Sequence, residues 1–238
     1  MRKFILIQFD SDEELANGAA AAWLNEVAKA NRQNMPLYVA LSGGRIARHF
    51  FAAIVAQALQ RTISPVGVHF FWADERCVPP TDRESNYGIA NEVLFAPLRI
   101  QPDRIHRIRG EDNPESAAAQ AANEIEQVVP GNAASQPVLD FVFLGMGEDG
   151  HIASLFPGDQ VRSAATYRAV TGTKPPPQRI TLSYNSIAAV KEVWVLVSGK
   201  DKESALRQSL LPIGATPLAK LIEMRSKTVL YTDIRLEC

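Results

Sequence analysis

Short β-branched and aromatic runs alternate with longer Ala-rich or amphipathic runs from one end of the chain to the other. This rhythm predicts βα units around a mostly parallel sheet, an α/β fold class. Strands are predicted at Phe4 to Gln8, Leu37 to Leu41, Val68 to Trp72, Asp140 to Leu144, Arg179 to Ser183, Val193 to Val197 and Thr228 to Tyr231. Several are nearly all apolar, as strands covered on both faces are. The first helix is announced by Ser11 with Glu14 in capping-box spacing and runs through Leu15, Ala19, Ala22, Trp23 and Val27. A second begins just after Gly44 and continues through Phe50, Ile54 and Leu59, and a third spans Asn86 to Leu94. A fourth opens at Asn113-Pro114, an N-cap followed by proline at the first helical position. Asp201 is the expected cap of another, carrying Ala205, Leu206 and Leu210. The stretches Lys174 to Pro177 and Pro130 to Pro137 read as loops, because a strand follows each at once.

Length and composition narrow the class. With 238 residues, 46% of them hydrophobic and 21% charged, the chain supplies the core of one α/β domain, residues 1–238. Lys and Arg number 25 against 26 acidic residues, so no global field favours a polyanion or an anionic membrane, and neither is an expected partner. Cys77 and Cys238 make no disulfide framework and lack zinc-site spacing, which fits a reducing compartment. The start, Met1 to Asp10, has a basic beginning, but its apolar run is too short for a signal peptide, and no stretch approaches a membrane span. A cytoplasmic protein, monomeric or weakly homo-oligomeric, is expected.

In open α/β sheets, ligands collect at the carboxyl ends of strands, and four polar loops stand there. Ser42-Gly43-Gly44-Arg45 lies between a strand and a helix start, where close backbone amides and the helix dipole favour an anion. A tight βα turn gives the same letters. Trp72-Ala73-Asp74-Glu75-Arg76 sets two carboxylates and a guanidinium beyond a buried strand, so that Arg76 forks onto a phosphate or carboxylate with Asp74 or Glu75 orienting it. The alternative is a solvated turn with a weak local ion pair.

Gly145-Met146-Gly147-Glu148-Asp149-Gly150-His151 matches the letters of the dinucleotide fingerprint but not its context. Pro157-Gly158 stops any long helix, and no acidic residue stands at Tyr167 to Thr173. The loop instead offers an imidazole beside two carboxylates, fit to take a proton from water near neutrality. Glu148, Asp149 and His151 as metal ligands lack a second cluster to complete the set. The fourth group is Arg179 with the segment Ser198 to Lys202, in which Lys202 falls in a helix's first turn, an unfavourable place for a cation unless it faces an anion.

Together these segments resemble the 6-phosphogluconolactonase family. Gly145 to Pro157 is similar to its signature G-M-G-x-D-G-H-x-A-S-L-F-P, and Trp72 to Pro79 with Ser85-Asn86 to its W-x-D-E-R-x-V-P and S-N segment. Arg179 to Leu182 and Gly199 to Lys202 resemble two further segments. The resemblance implies a three-layer, Rossmann-like fold of the glucosamine-6-phosphate deaminase type. It implies hydrolysis of 6-phospho-D-glucono-1,5-lactone, a sugar-phosphate lactone, with no metal or organic cofactor. His151 is then the base and Asp149 its orienting partner, while Ser42, Gly43, Gly44, Arg45, Asp74, Arg76, Gly147, Arg179 and Lys202 bind substrate or phosphate. One departure is plain: the family's first loop reads L-S-G-G-S-T-P, and here Arg45-Ile46-Ala47 follows Gly44. The related deaminase carries a glutamate in an N-E-P triplet after its histidine, where this chain has Leu155-Phe156-Pro157. A sugar-phosphate sensor without turnover is the alternative outside the enzymes.

Overall fold

The computed structural model describes residues 3–133, 136–159 and 163–236, so Met1, Cys238 and part of the Pro130 to Pro137 loop lie outside the described residues. In chain order the strands are β1 (Phe4–Gln8), β2 (Leu37–Leu41), β3 (Val68–Trp72), β4 (Asp74–Arg76), β5 (Phe141–Gly145), β6 (Tyr167–Thr171), β7 (Gln178–Leu182), β8 (Glu192–Val197) and β9 (Thr228–Thr232). The helices are α1 (Asp12–Gln33), α2 (Arg45–Gln60), α3 (Asn86–Ala90), α4 (Ala96–Leu98), α5 (Pro114–Val128), α6 (Tyr184–Ala189), α7 (Glu203–Ser209) and α8 (Pro217–Met224).

Six strands form one parallel sheet in the order β1-β9-β8-β5-β2-β3. The chain moves from β1 to β2 to β3 toward one edge, then returns to insert β5, β8 and β9 between β1 and β2. Right-handed crossovers put the helices of the outward path on one face and those of the return path on the other. Accordingly α1 packs on α2, and α8 packs on α6 and α7. The direction reverses between β2 and β5, so the loops leaving these neighbours part to opposite faces and open a crevice at their carboxyl ends. A second, antiparallel sheet, β4-β7-β6, stands beside it.

Local chemistry explains most of these elements. Ser11 accepts the Glu14 amide at 3.1 Å, and Glu14 reaches back to the Asp10 amide, one residue before the cap itself. Helix α1 then buries Leu15, Ala19, Trp23 and Val27 on one stripe. Strands β5 and β8 are buried nearly throughout and β2 over its last three residues, and Trp23, Phe50 and Trp194 pack edge-on against Phe143 at the centre. The helix predicted at Asn86 to Leu94 divides into α3, a π-helical turn Asn91–Phe95 and α4. Pro97 has no amide to give the Val93 carbonyl and its ring crowds that group, so the chain widens ahead of it. Asp201 is not the cap of α7. It sits in a 3-10 turn, Lys200–Lys202, and Lys202 occupies the N-cap without a side-chain capping bond.

Arg225 is buried and hydrogen-bonded to backbone: its guanidinium donates to the carbonyls of Ala188 and Val190, each at 2.6 Å, and of Lys191 and Lys227. It thereby collects the acceptors left at the end of α6. Among the described residues no helix is long and apolar enough to cross a membrane.

Away from the crevice, Arg104, His69, His106 and Glu124 form a chain of hydrogen bonds, His69 Nδ1 to His106 Nε2 at 2.9 Å and His106 Nδ1 to Glu124 at 2.8 Å. Arg104 only donates, so His69 Nε2 accepts, His69 Nδ1–H donates to His106 Nε2, and His106 Nδ1–H donates to Glu124. Protonating either imidazole sets two N–H groups against each other. Burial, the Arg104 charge and His106 hold the His69 pKa below its ordinary 6.5, against the pull of Asp103. The unfolded chain then takes up a proton that the native chain refuses, so the stabilisation is complete above the ordinary pKa and is lost as pH falls through the folded one. The melting temperature of the native protein should therefore fall more between about pH 7.5 and 5 than that of His69→Phe, and parallel melting curves would remove the network's role.

Candidate active site

An open cleft of about 470 Å³ lies at the β2/β5 crevice, lined by Ser42, Gly43, Gly44, Arg45, Asp74, Arg76, Gly147, His151, Arg179 and Lys202 together with Ile46, Gly145, Met146 and Ala153. Every residue predicted for the site except Asp149 is in that lining. Asp149 stands behind His151: its Oδ1 lies 2.6 Å from His151 Nδ1 and also accepts the His151 amide at 3.2 Å. A carboxylate only accepts, so the ring proton is on Nδ1 and Nε2 is left with its lone pair for the cleft. Burial pushes the Asp149 carboxyl upward, but the hydrogen bond and charge of His151, with two backbone amides, outweigh it and hold the pKa below the usual value. The loop folds tightly around the pair. A Cβ on Gly147 would come within 2.1 Å of the His151 ring, so only glycine leaves the imidazole its place. Residues 151–159 form bridges and turns instead of the helix that the dinucleotide fingerprint requires after its third glycine.

The cations converge from three elements. In the antiparallel β4–β7 pair, Arg76 is directly opposite Arg179, a placement of like charges that destabilises a sheet unless something anionic lies between them. Burial and the Arg76 charge both lower the Arg179 pKa. Nε of each guanidinium is buried without an acceptor among the described residues, and such donors are what an anion satisfies. Lys202 enters from the 3-10 turn, half-buried, its pKa lowered first by burial and also by Arg45, against the charge of Asp201. Arg45 stands at the rim, its side chain 63% exposed, 3.9 Å from Asp201 across the mouth. The first amides of α2 add donors with no intrahelical acceptor.

Asp74 and Glu75 do not orient the Arg76 guanidinium. Glu84 does so, through its carbonyl at 2.8 Å and its carboxylate at 3.5 Å. Asp74, only 3% exposed, accepts the hydroxyls of Ser42 and Ser154, each at 2.7 Å, and so ties the β2, β3 and β5 loops together beneath the cleft. Ser42 therefore already donates to Asp74. Glu75 accepts the amides of Arg76, Asn86 and Tyr87, yet burial still lifts its carboxyl to about 7. Asn86 donates to the Asp74 carbonyl at 2.8 Å and fills the space beside Gly43, where a Cβ would meet its Oδ1 at 1.9 Å. The sequence gives Ser154 no role of its own and sets Asp74 or Glu75 to orient Arg76. The signal for these buried roles is the pairing of β4 with β7, which no hydrophobic pattern announces. Glu148 turns outward to Lys174 at 3.8 Å, and among the described residues no three His, Cys, Asp or Glu side chains are grouped to hold a metal ion.

A family model described as glucosamine-6-phosphate isomerases/6-phosphogluconolactonase matches residues 10–230. The chain belongs to this family. Within the glucosamine-6-phosphate isomerase/6-phosphogluconolactonase family, the 6-phosphogluconolactonase of Treponema pallidum (strain Nichols) is 38% identical over 191 residues, 79% of this chain and 78% of its own. The solved 6-phosphogluconolactonase of Trypanosoma brucei superposes with a TM-score of 0.85 at 24% identity, covering 98% of this chain and 97% of that one. A monomeric glucosamine-6-phosphate deaminase superposes with a TM-score of 0.80 at 20% identity, covering 96% of each chain. The family fold thus carries both proteins, and the choice between their reactions rests on side chains.

Proposed function

We propose that this chain hydrolyses 6-phospho-D-glucono-1,5-lactone to 6-phosphogluconate, the lactone step of the cytoplasmic oxidative pentose phosphate pathway, with His151 as general base. The observation that carries the reading is one cleft holding an imidazole tied at Nδ1 to Asp149 and four cations, Arg45, Arg76, Arg179 and Lys202. His151 Nε2 takes a proton from water as the water oxygen bonds to the lactone carbonyl carbon. Negative charge passes to the carbonyl oxygen, where a guanidinium or the first α2 amides stabilise it. The tetrahedral centre then collapses, the ring C–O bond breaks, and the departing oxygen takes the proton from His151. Asp149 fixes the tautomer and stabilises the imidazolium that forms between the two transfers. The remaining cations hold the phosphate.

At the position that matches the deaminase's triplet glutamate this chain carries Phe156, whose ring lies 5.1 Å from that of His151 between centroids, and this favours lactone hydrolysis over amino-sugar isomerisation. The phosphate grip is tested with glucono-1,5-lactone that lacks it. Losing two or three charge-assisted contacts should lower kcat/KM by about 10³-fold or more. Equal turnover of the two lactones, or release of ammonia from glucosamine 6-phosphate, would contradict the reading.

A further inference from the structure

Phe156 touches two groups on which the proposed reaction depends. Its ring is tilted 47° to that of His151 at 5.1 Å, and the Arg179 guanidinium carbon lies over it at 5.9 Å. Each group lacks other restraint in one respect. Among the described residues the His151 side chain is hydrogen-bonded at Nδ1 alone, so packing must fix the tilt of its ring about that bond. Arg179 Nε has no acceptor among the described residues, and Nη2 makes a long bond of 3.4 Å to the Lys174 carbonyl. An aromatic face beside both removes these freedoms together, because a cation is drawn to the ring face and an imidazole packs on its flank. The seat of the ring is Gly172, buried where the β6–β7 turn closes through its amide on the Pro177 carbonyl at 2.7 Å. A Cβ there would lie 2.8 Å from the Phe156 ring and 3.2 Å from Arg179 Nε.

We infer that Phe156 is a positioning residue, a shared plate that holds the base and the Arg179 guanidinium in one register, and that Gly172 is glycine to leave the plate its room. The inference rests on the hydrolase reading. Phe156 is only partly buried, so its replacement tests placement more than core packing.

Phe156→Leu keeps an apolar side chain without a π face. Expected are a fall in kcat of about tenfold from the loosened base and a rise in KM of about threefold from the loosened guanidinium, with the melting temperature within a few degrees of wild type. The dissociation constant of 6-phosphogluconate, measured by calorimetry, should rise with KM. Gly172→Ala should give the same split, because the added methyl pushes on the plate from the β6–β7 turn. Adding Gly172→Ala to Phe156→Leu should cost little more, because the methyl then meets a smaller side chain. The proposal is overturned if Phe156→Leu leaves kcat, KM and product affinity unchanged, if only the melting temperature falls, or if the two substitutions are fully additive. A wild-type protein that turns over no lactone and binds no 6-phosphogluconate instead sinks the hydrolase reading, and this inference with it.

Discussion

Asp74→Ala is expected to cost roughly 2–4 kcal/mol of stability and about 10²-fold in kcat/KM at once. The carboxylate is almost fully buried and takes the Ser42 and Ser154 hydroxyls from two different loops. Alanine leaves both hydroxyls without an acceptor in a site that water scarcely reaches, and hydrogen bonds to a charged group are the expensive ones to lose. The loss should lower the melting temperature by about 5–15 °C for a chain of this size. Catalysis suffers separately, because Ser42 begins the glycine loop while Ser154 anchors the turn behind His151, and a misplacement of about 1 Å is felt strongly in the rate. Asp74→Asn keeps one acceptor oxygen and presents a donor to a hydroxyl that can rotate to accept it, so it should fall between wild type and Asp74→Ala in both measurements. Thermal melting and steady-state kinetics on the three proteins check this. Full activity in a folded Asp74→Ala would show that the loops hold their places without the pin.

The parts of the fold that announce themselves do so through a single physical signal. Strands β1, β2 and β3 begin and end where the apolar runs do, whereas the observed bounds of β5, β7, β8 and β9 differ by a residue at one or both ends, where pairing with a neighbour decides the end. Strand β4, all charge, shows no alternation and exists because β7 lies antiparallel to it. Strand β6 exists likewise through its pairing with β7. Helices α6 and α8 are short, but Ser183 and the Thr216-Pro217 pair carry ordinary cap signals at their starts.

In the site, the loops were legible because glycines and charges at strand ends have few structural reasons to be there. Their partners were not. That Asp74 joins Ser42 to Ser154, that Arg76 faces Arg179, and that Phe156 lies by His151 are all consequences of strand order and register. Arg45, where the resemblance expects a hydroxyl, is at the rim with Asp201, a position from which it adds charge to the mouth without filling the floor.

The central claim is that His151 activates the attacking water, and His151→Gln removes the basic nitrogen while keeping a polar side chain that can still donate to Asp149. The cations and the glycine loop stay, so substrate should bind with nearly unchanged KM. Only the proton transfer is lost, a change worth about 10²–10⁴-fold in kcat. The residual rate is what positioning and charge alone supply. The measurement is made with lactone generated freshly from glucose 6-phosphate and coupled to 6-phosphogluconate dehydrogenase, with the spontaneous rate in buffer subtracted from both proteins. A wild-type rate well above buffer, falling by at least about 10²-fold in His151→Gln at similar KM, is the predicted result. A wild-type rate no greater than buffer, or a variant as fast as wild type, would contradict it.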